Sequence, residues 1–292
     1  MSNFVFPYYK QKKIIGLFGI SGLNQLREQL RNEPKELLKE INKKFFGNKE
    51  KNLDDLLYES EDNGVISGKI LQLPYLYNFS SKFATALNNL LQLVEGKKGS
   101  RTAFIYCNLV KIGINMFYEI LLQNGFLEYN EDGNYNITDD TRDALTGLTY
   151  KEFIDKQKNN NKFKNKTFYP ATFITVTGQS EEGGSIPEKQ NQILKKIFNH
   201  IDNKDGRHIK LVLGSKVMNE GITLRNVGEV HILDVYYNFG RVQQVIGRAI
   251  RYCVHYDLMN EGDLFPEVRV YKYVIGLRKG LSTDEDLYRK AE

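Results

Sequence analysis

Between residues 103 and 275, short apolar runs alternate with segments of helical period, and no other feature constrains the fold as much. Ala103-Phe-Ile-Tyr-Cys107, Thr172-Phe-Ile-Thr-Val176, Ile209-Lys-Leu-Val-Leu213, Val230-His-Ile-Leu-Asp234 and Val268 to Ile275 read as strands. Gly113 to Asn124, Ile186 to His200 and Arg241 to Cys253 read as helices between them. Strands separated by helices predict a parallel sheet covered on both faces, an α/β architecture. No internal repeat interrupts this pattern.

Upstream, the apolar positions Leu37, Leu38, Ile41 and Phe45 predict a helix from Pro34 to Phe46, with Pro34 in its first turn and Gly47 as its stop. It follows a start that reads as irregular. A second stripe, Phe83, Ala86, Leu87, Leu90, Leu91 and Val94, predicts a helix from Lys82 to Val94 that ends at Gly96-Lys-Lys-Gly99. The expected division is a small, mainly helical N-terminal extension over 1–60, a lead-in over 61–97 and the main domain over 98–292. At the far end, Asp284-Glu-Asp286 is read as opening a terminal helix behind Ser282 or Thr283.

Composition narrows the class. With 41% apolar and 26% charged residues, the chain is neither disordered nor low-complexity, and its two cysteines cannot build a disulfide framework or a cysteine zinc site. His200, His208, His231 and His255 show no metal-ligand spacing, and His231 is read as a strand residue on a half-buried face. Neither a membrane span nor a signal peptide is predicted, so the expected location is cytoplasmic. The surplus of 41 basic over 36 acidic side chains is mild. Much of it gathers in Lys156 to Lys166, which holds five Lys and four Asn in eleven residues. This run is read as a solvated inserted loop, with a phosphate-tracking arm as the sharper alternative.

Arg241 to Cys253 carries the most chemical information. Val242, Val245, Ile246, Ala249, Ile250 and Cys253 form one apolar face, while Gln244, Arg248 and Arg251 project together from the other. A row of guanidinium groups suits phosphate recognition, because the planar fork bonds phosphate oxygens in pairs. A plain basic stripe on an amphipathic helix is the alternative. Gly247 costs about 1 kcal/mol of helix propensity relative to alanine, which close approach of a ligand to the backbone would justify.

Gln244-x-x-Gly-Arg248-x-x-Arg251 resembles motif VI of superfamily 2 helicases. Ser215-Lys-Val-Met-Asn-Glu-Gly-Ile-Thr-Leu224 resembles their motif V, Phe104-Ile-Tyr-Cys107 their motif IV, and Thr177-Gly178 the Thr-Gly signature between the two. The wording from Asn219 to Asp234, from Gln244 to His255 and from Phe265 to Val274 is similar to the helicase-like transcription ATPases and early-transcription-factor helicases of large cytoplasmic DNA viruses. That group includes the poxvirus nucleoside triphosphate phosphohydrolase I proteins, and cytoplasmic linear plasmids carry similar chains. Neither a phosphate loop nor an acidic metal-binding motif of the first lobe occurs here. The resemblance is thus to the second, RecA-like lobe alone, and the abrupt close at Glu292 is read as a truncated or split reading frame.

The resemblance implies a nucleic-acid-dependent ATPase. Arg248 and Arg251 would act on ATP with Mg2+ held by a separate first RecA-like lobe, Gln244 and Gly247 would lie at the nucleotide interface, and Glu220 and Gly221 at the turn near the ribose and phosphates. Ser215, Thr177 and Asn108 would contact a DNA or RNA backbone. A viral RNA polymerase is an implied partner, in a viral factory or virion. The alternative is a RecA-like lobe without catalysis that docks nucleic acid or polymerase, for which the polar row has no physical use. Tyr236-Tyr237 is read as packing, with base stacking as the alternative.

Overall fold

The computed structural model describes residues 3–61, 63–96, 101–161, 163–178, 186–219, 222–234, 239–251, 254–259, 266–277 and 279–291. They fall into two compact units: Met1–Leu87 with Leu109–Asn124, and Asn88–Asn108 with Gly125–Glu292. The first unit thus takes in a segment that the sequence reading assigned to the main domain. None of the described helices is long and apolar enough to cross a membrane.

The first unit opens with β1 (Val5–Lys10) and β2 (Lys13–Phe18), an antiparallel hairpin, followed by α1 (Gly19–Asn32) and α2 (Pro34–Phe46). The start is therefore not irregular. Its turn residues Gln11 and Lys12 both have positive φ, +50° and +61°, without the Asn-Gly signature that normally marks such a turn. For α2 the capping signals hold: Pro34 sits in the first turn and Gly47 takes the left-handed conformation at φ 61°. A two-stranded ladder, β3 (Tyr58–Glu59) with β4 (Ile66–Ser67), the short α3 (Leu73–Leu76), the start of α4 (Ser81–Val94) and later α5 (Met116–Leu122) complete this unit. Arg27 and Arg31 both bond the Glu59 carboxylate, which holds its pKa below the usual range.

The second unit is built on six parallel strands, β5 (Thr102–Tyr106), β6 (Leu127–Glu128), β7 (Thr172–Val176), β8 (Leu211–Gly214), β9 (Val227–Ile232) and β10 (Arg269–Lys272). Their order is β10-β9-β5-β8-β7-β6, every neighbouring pair parallel. Every residue of β5, β8 and β9 is buried, as expected for strands covered on both faces. Helices α6 (Tyr150–Asn159), α7 (Glu188–Ile193), α8 (Phe239–Ala249) and α9 (Thr283–Ala291) belong to this unit. This is the RecA-like sheet flanked by helices that the sequence predicts.

The edge strand β6 is absent from the sequence reading, and three further details differ from it. His231 is fully buried, not half-buried. Its Nε2 lies 3.1 Å from Glu229, its Nδ1 lies 2.7 Å from the Tyr273 hydroxyl, and it stacks on Tyr271. Such groups tolerate the interior because each finds a partner. Second, the lysine-rich run is not a loop throughout, because α6 extends to Asn159. Thr149 and Glu152 form a reciprocal capping box that starts it. Third, Ile250 is 42% exposed, since α8 ends at Ala249 and the apolar face is cut there. The terminal helix does begin as read: Ser282 Oγ accepts from the Glu285 N–H, and the Glu285 carboxylate accepts from the Ser282 N–H.

Candidate nucleotide and nucleic-acid sites

Parallel strands bring their carboxyl ends to one edge, and three of the predicted residues arrive there. Asn108 follows β5, Thr177 follows β7 and Ser215 follows β8. The edge is tied by main chain and by one carboxylate. The Ser215 N–H donates to the Val176 carbonyl at 3.1 Å, and the Ser215 carbonyl accepts from Met218 N–H at 3.0 Å, closing the turn after β8. Asp234, past the end of β9, accepts from the Asn108 N–H at 2.5 Å and from the Cys107 thiol at 3.0 Å. It fixes the loop that carries Asn108. The sequence reading assigned Asp234 no part; an acid directly after a buried strand was the available signal. In open parallel sheets ligands bind beyond the carboxyl ends of the strands.

The predicted arginines go to the other end of the sheet. Helix α8 buries Val242, Val245 and Ala249 and leaves Gln244 exposed and Arg248 half-buried. Its last turn docks beside the segment that enters β9: the Arg248 carbonyl accepts from Leu224 N–H at 2.9 Å and the Val254 carbonyl from Asn226 N–H at 3.0 Å. The His255 ring lies 3.0 Å from the Val227 carbonyl, and burial, with Arg101 nearby, lowers its pKa. Arg251 lies just past the helix rather than on it. Its exposed guanidinium bonds back to the Gly247 carbonyl through Nε (2.7 Å) and reaches the Thr223 hydroxyl through Nη1 (3.2 Å). No carboxylate among the described residues pairs with it. Beside Thr223 opens a cavity of about 640 Å³ whose lining includes Lys195, Asn199, His200, Ile222 and Arg225. Asn199 braces this wall by donating to the Thr223 carbonyl and accepting from the Arg225 N–H. Two cations and a histidine face one acid there, Asp257, a balance that favours anions.

Residues 139–253 match the helicase conserved C-terminal domain family. Over 299 aligned residues covering 100% of the chain, it is 46% identical to a protein of Acanthamoeba polyphaga mimivirus named as an ATP-dependent RNA helicase. It is residues 139–253 that carry the likeness to a helicase C-terminal domain. The chain is also 26% identical, over 74% of its length, to the early transcription factor 70 kDa subunit of rabbit fibroma virus. A killer-plasmid helicase of Kluyveromyces lactis is 32% identical over 40% of the chain. These matches cover only 26%, 29% and 17% of the respective relatives.

The family match takes in the Thr177, Ser215–Leu224 and Gln244–Arg251 motifs of the helicase domain and begins after Phe104–Cys107. Glu220, Gly221, Tyr236, Tyr237 and Cys253 lie outside the described residues. Thr223, Lys195 and Arg225 were not singled out by sequence; Thr223 and Arg225 lie within the Asn219–Asp234 wording, whereas Lys195 carries no signal until the chain folds. Gly247 stands apart, because a Cβ added there meets nothing within 4 Å. Among the described residues nothing packs closely enough on that face of α8 to require glycine. Gly247→Ala is therefore expected to stabilise the domain by up to about 1 kcal/mol, read from its urea midpoint, while weakening any ligand that approaches this backbone. A destabilised variant would mean that the helix needs glycine for its own geometry.

Proposed function

We propose that the helicase domain is the second lobe of a nucleic-acid-dependent ATPase acting in viral transcription, in a cytoplasmic viral setting. It supplies Arg248 and Arg251 to an ATP and Mg2+ site completed by a separate first lobe. The observation that carries this reading is the placement of Arg251: exposed, aimed by Gly247 and Thr223, next to a basic cavity, and paired with no carboxylate among the described residues. A positive group held in that way is poised for the charge that develops on a transferring phosphoryl group. Gln244 and Gly247 lie on the same helix, where they would meet the nucleotide, and Glu220 and Gly221 precede Thr223 in the chain.

Asn108, Thr177 and Ser215 would hold a DNA or RNA backbone at the carboxyl edge, through hydroxyl and amide side chains that read phosphate rather than sequence. Nucleotide and strand then occupy opposite ends of one rigid sheet. Movement of this lobe against its partner on ATP turnover would shift the strand, and a viral RNA polymerase is the machine in which such stepping is used.

The test is reconstitution. The chain alone is expected to hydrolyse ATP negligibly, and activity is expected when a first lobe bearing a phosphate loop is supplied in cis or in trans. Robust hydrolysis by the chain alone would sink the shared-site reading.

A further inference from the structure

The lysine-rich segment has no part in the sites above, and its charge is local. Removing the five lysines of residues 156–166 from the chain's 41 basic residues leaves 36, equal to its 36 acidic ones. Several basic side chains elsewhere sit on acids, as in Lys39–Glu36, Lys69–Glu50, Arg207–Asp205 and Lys290–Asp286. Lys156, Lys158, Lys164 and Lys166 are exposed; Lys156 lies within electrostatic reach of the Glu152 carboxylate one turn earlier, without forming a close ion pair. Lys162 lies outside them.

This segment is folded. Phe153 is buried under Phe163 and Phe168 at centroid distances of 4.9 and 5.2 Å, with Tyr150 packed edge-on against Phe168. The Gln157 side chain donates to the Lys166 carbonyl at 2.8 Å, and the Lys166 ammonium lies 4.7 Å over the Phe163 ring. An aromatic cluster and a closed turn thus hold like charges together, against their mutual repulsion. A flexible arm would not need that.

Its place is also distinct. Tyr150 N–H bonds Thr141, Arg142 N–H bonds Gly125, and Ala171 N–H bonds Arg142, so the root of α6 lies by the amino ends of β6 and β7. The residues proposed to hold a strand follow the carboxyl ends.

We infer that the folded turn carrying Lys156, Lys158, Lys164 and Lys166 is a second docking surface for a nucleic-acid phosphate backbone, engaging a stretch other than the one at the carboxyl edge. The inference rests on the reading that the domain works on nucleic acid. Ammonium groups interleaved with asparagine amides supply point charges and neutral donors, the pairing used for phosphate and sugar.

The experiment measures oligonucleotide affinity of the full chain by fluorescence anisotropy across a salt series. Replacing Lys156, Lys158, Lys164 and Lys166 together by glutamine should lower the slope of log affinity against log salt by about 2 to 3, and weaken binding on the order of 100-fold at 0.1 M salt. The variant should stay folded with its melting temperature changed little, because relief of the repulsion among four exposed ammonium groups offsets loss of the Lys166–Phe163 contact. Ser215→Ala, at the other edge, should add to this loss independently. An unchanged slope in a folded quadruple variant overturns the inference. So does equal retention by poly-glutamate at matched salt, which would assign the turn to an acidic protein surface. Failure of the broader reading has a different signature: the unaltered chain would bind no oligonucleotide.

Discussion

Arg251→Ala, in the helicase domain joined to a first lobe, is expected to lower kcat for ATP hydrolysis by about 10³-fold or more, with KM for ATP changed little. The size follows from what the guanidinium would do. In the proposed site it meets charge that exists only in the transition state, so its loss appears in kcat and hardly in ground-state binding. Its cost to folding should be small, within about 0.5 kcal/mol, because the side chain is exposed and makes one bond to a carbonyl and one to a hydroxyl. That separation makes the variant informative. Arg251→Lys keeps the charge but loses the fork that holds Gly247 and Thr223 together, and should recover little. Arg248→Ala is a less clean probe, since the half-buried side chain also packs. A kcat within tenfold of the parent for Arg251→Ala, in a folded and nucleic-acid-binding protein, would remove this arginine from the chemistry and favour a docking module.

The sheet was legible because its central strands are apolar throughout. Ala103–Tyr106 and Leu211–Leu213 leave no helical or alternating reading, and the ends of the five predicted strands were read to within about three residues, whereas the two-residue edge strand β6 was missed. Elements governed by backbone conformation rather than by composition stayed hidden. The β1–β2 hairpin turns on Gln11-Lys12, residues that normally avoid positive φ, so no turn signal precedes the fold. Helix α6 was visible in principle through Thr149 and Glu152, but the lysines that follow looked like loop, and the aromatic cluster beneath them joins residues ten to fifteen positions apart. For the site, the polar row Gln244, Arg248, Arg251 was placed on one helix face, whereas α8 stops short and Arg251 reaches its position through bonds to Gly247 and Thr223. Spacing identifies which side chains share a face; it says nothing of where a helix ends against the neighbouring chain, and that end sets the arginine's direction.

The second large effect concerns Lys210, which sequence reading passed over as one polar position in a strand. It is fully buried at the amino end of β8, under Gly206, where an added Cβ would come within 2.6 Å of the lysine stem. Its ammonium donates to the Asp205 carbonyl at 2.9 Å, with the carboxylates of Asp205 and Asp143 nearby. Burial outweighs both and pushes its pKa down from an ordinary 10.5 to about 7. Between those values the unfolded chain holds a proton that the folded chain has released, so stability rises with pH across that window and is lost again as pH falls through about 7. At about 1.4 kcal/mol per unit, the shift corresponds to a ceiling of about 5 kcal/mol. Lys210→Met, which fills the same volume without a charge, forfeits a hydrogen bond of about 1 kcal/mol. It is therefore expected to stabilise the domain by about 3 kcal/mol at pH 6, by less at pH 8, and not at all near pH 10, measured by urea denaturation at each pH. Titrations of groups not coupled to Lys210 cancel in the comparison of the two proteins, and Asp205, whose pKa is held below the usual carboxylate value, stays ionised over this pH range. An equal gain at pH 6 and pH 10 would attribute the effect to packing, and a loss at pH 6 would show that Asp205 and Asp143 compensate the buried ammonium more fully than its surroundings indicate.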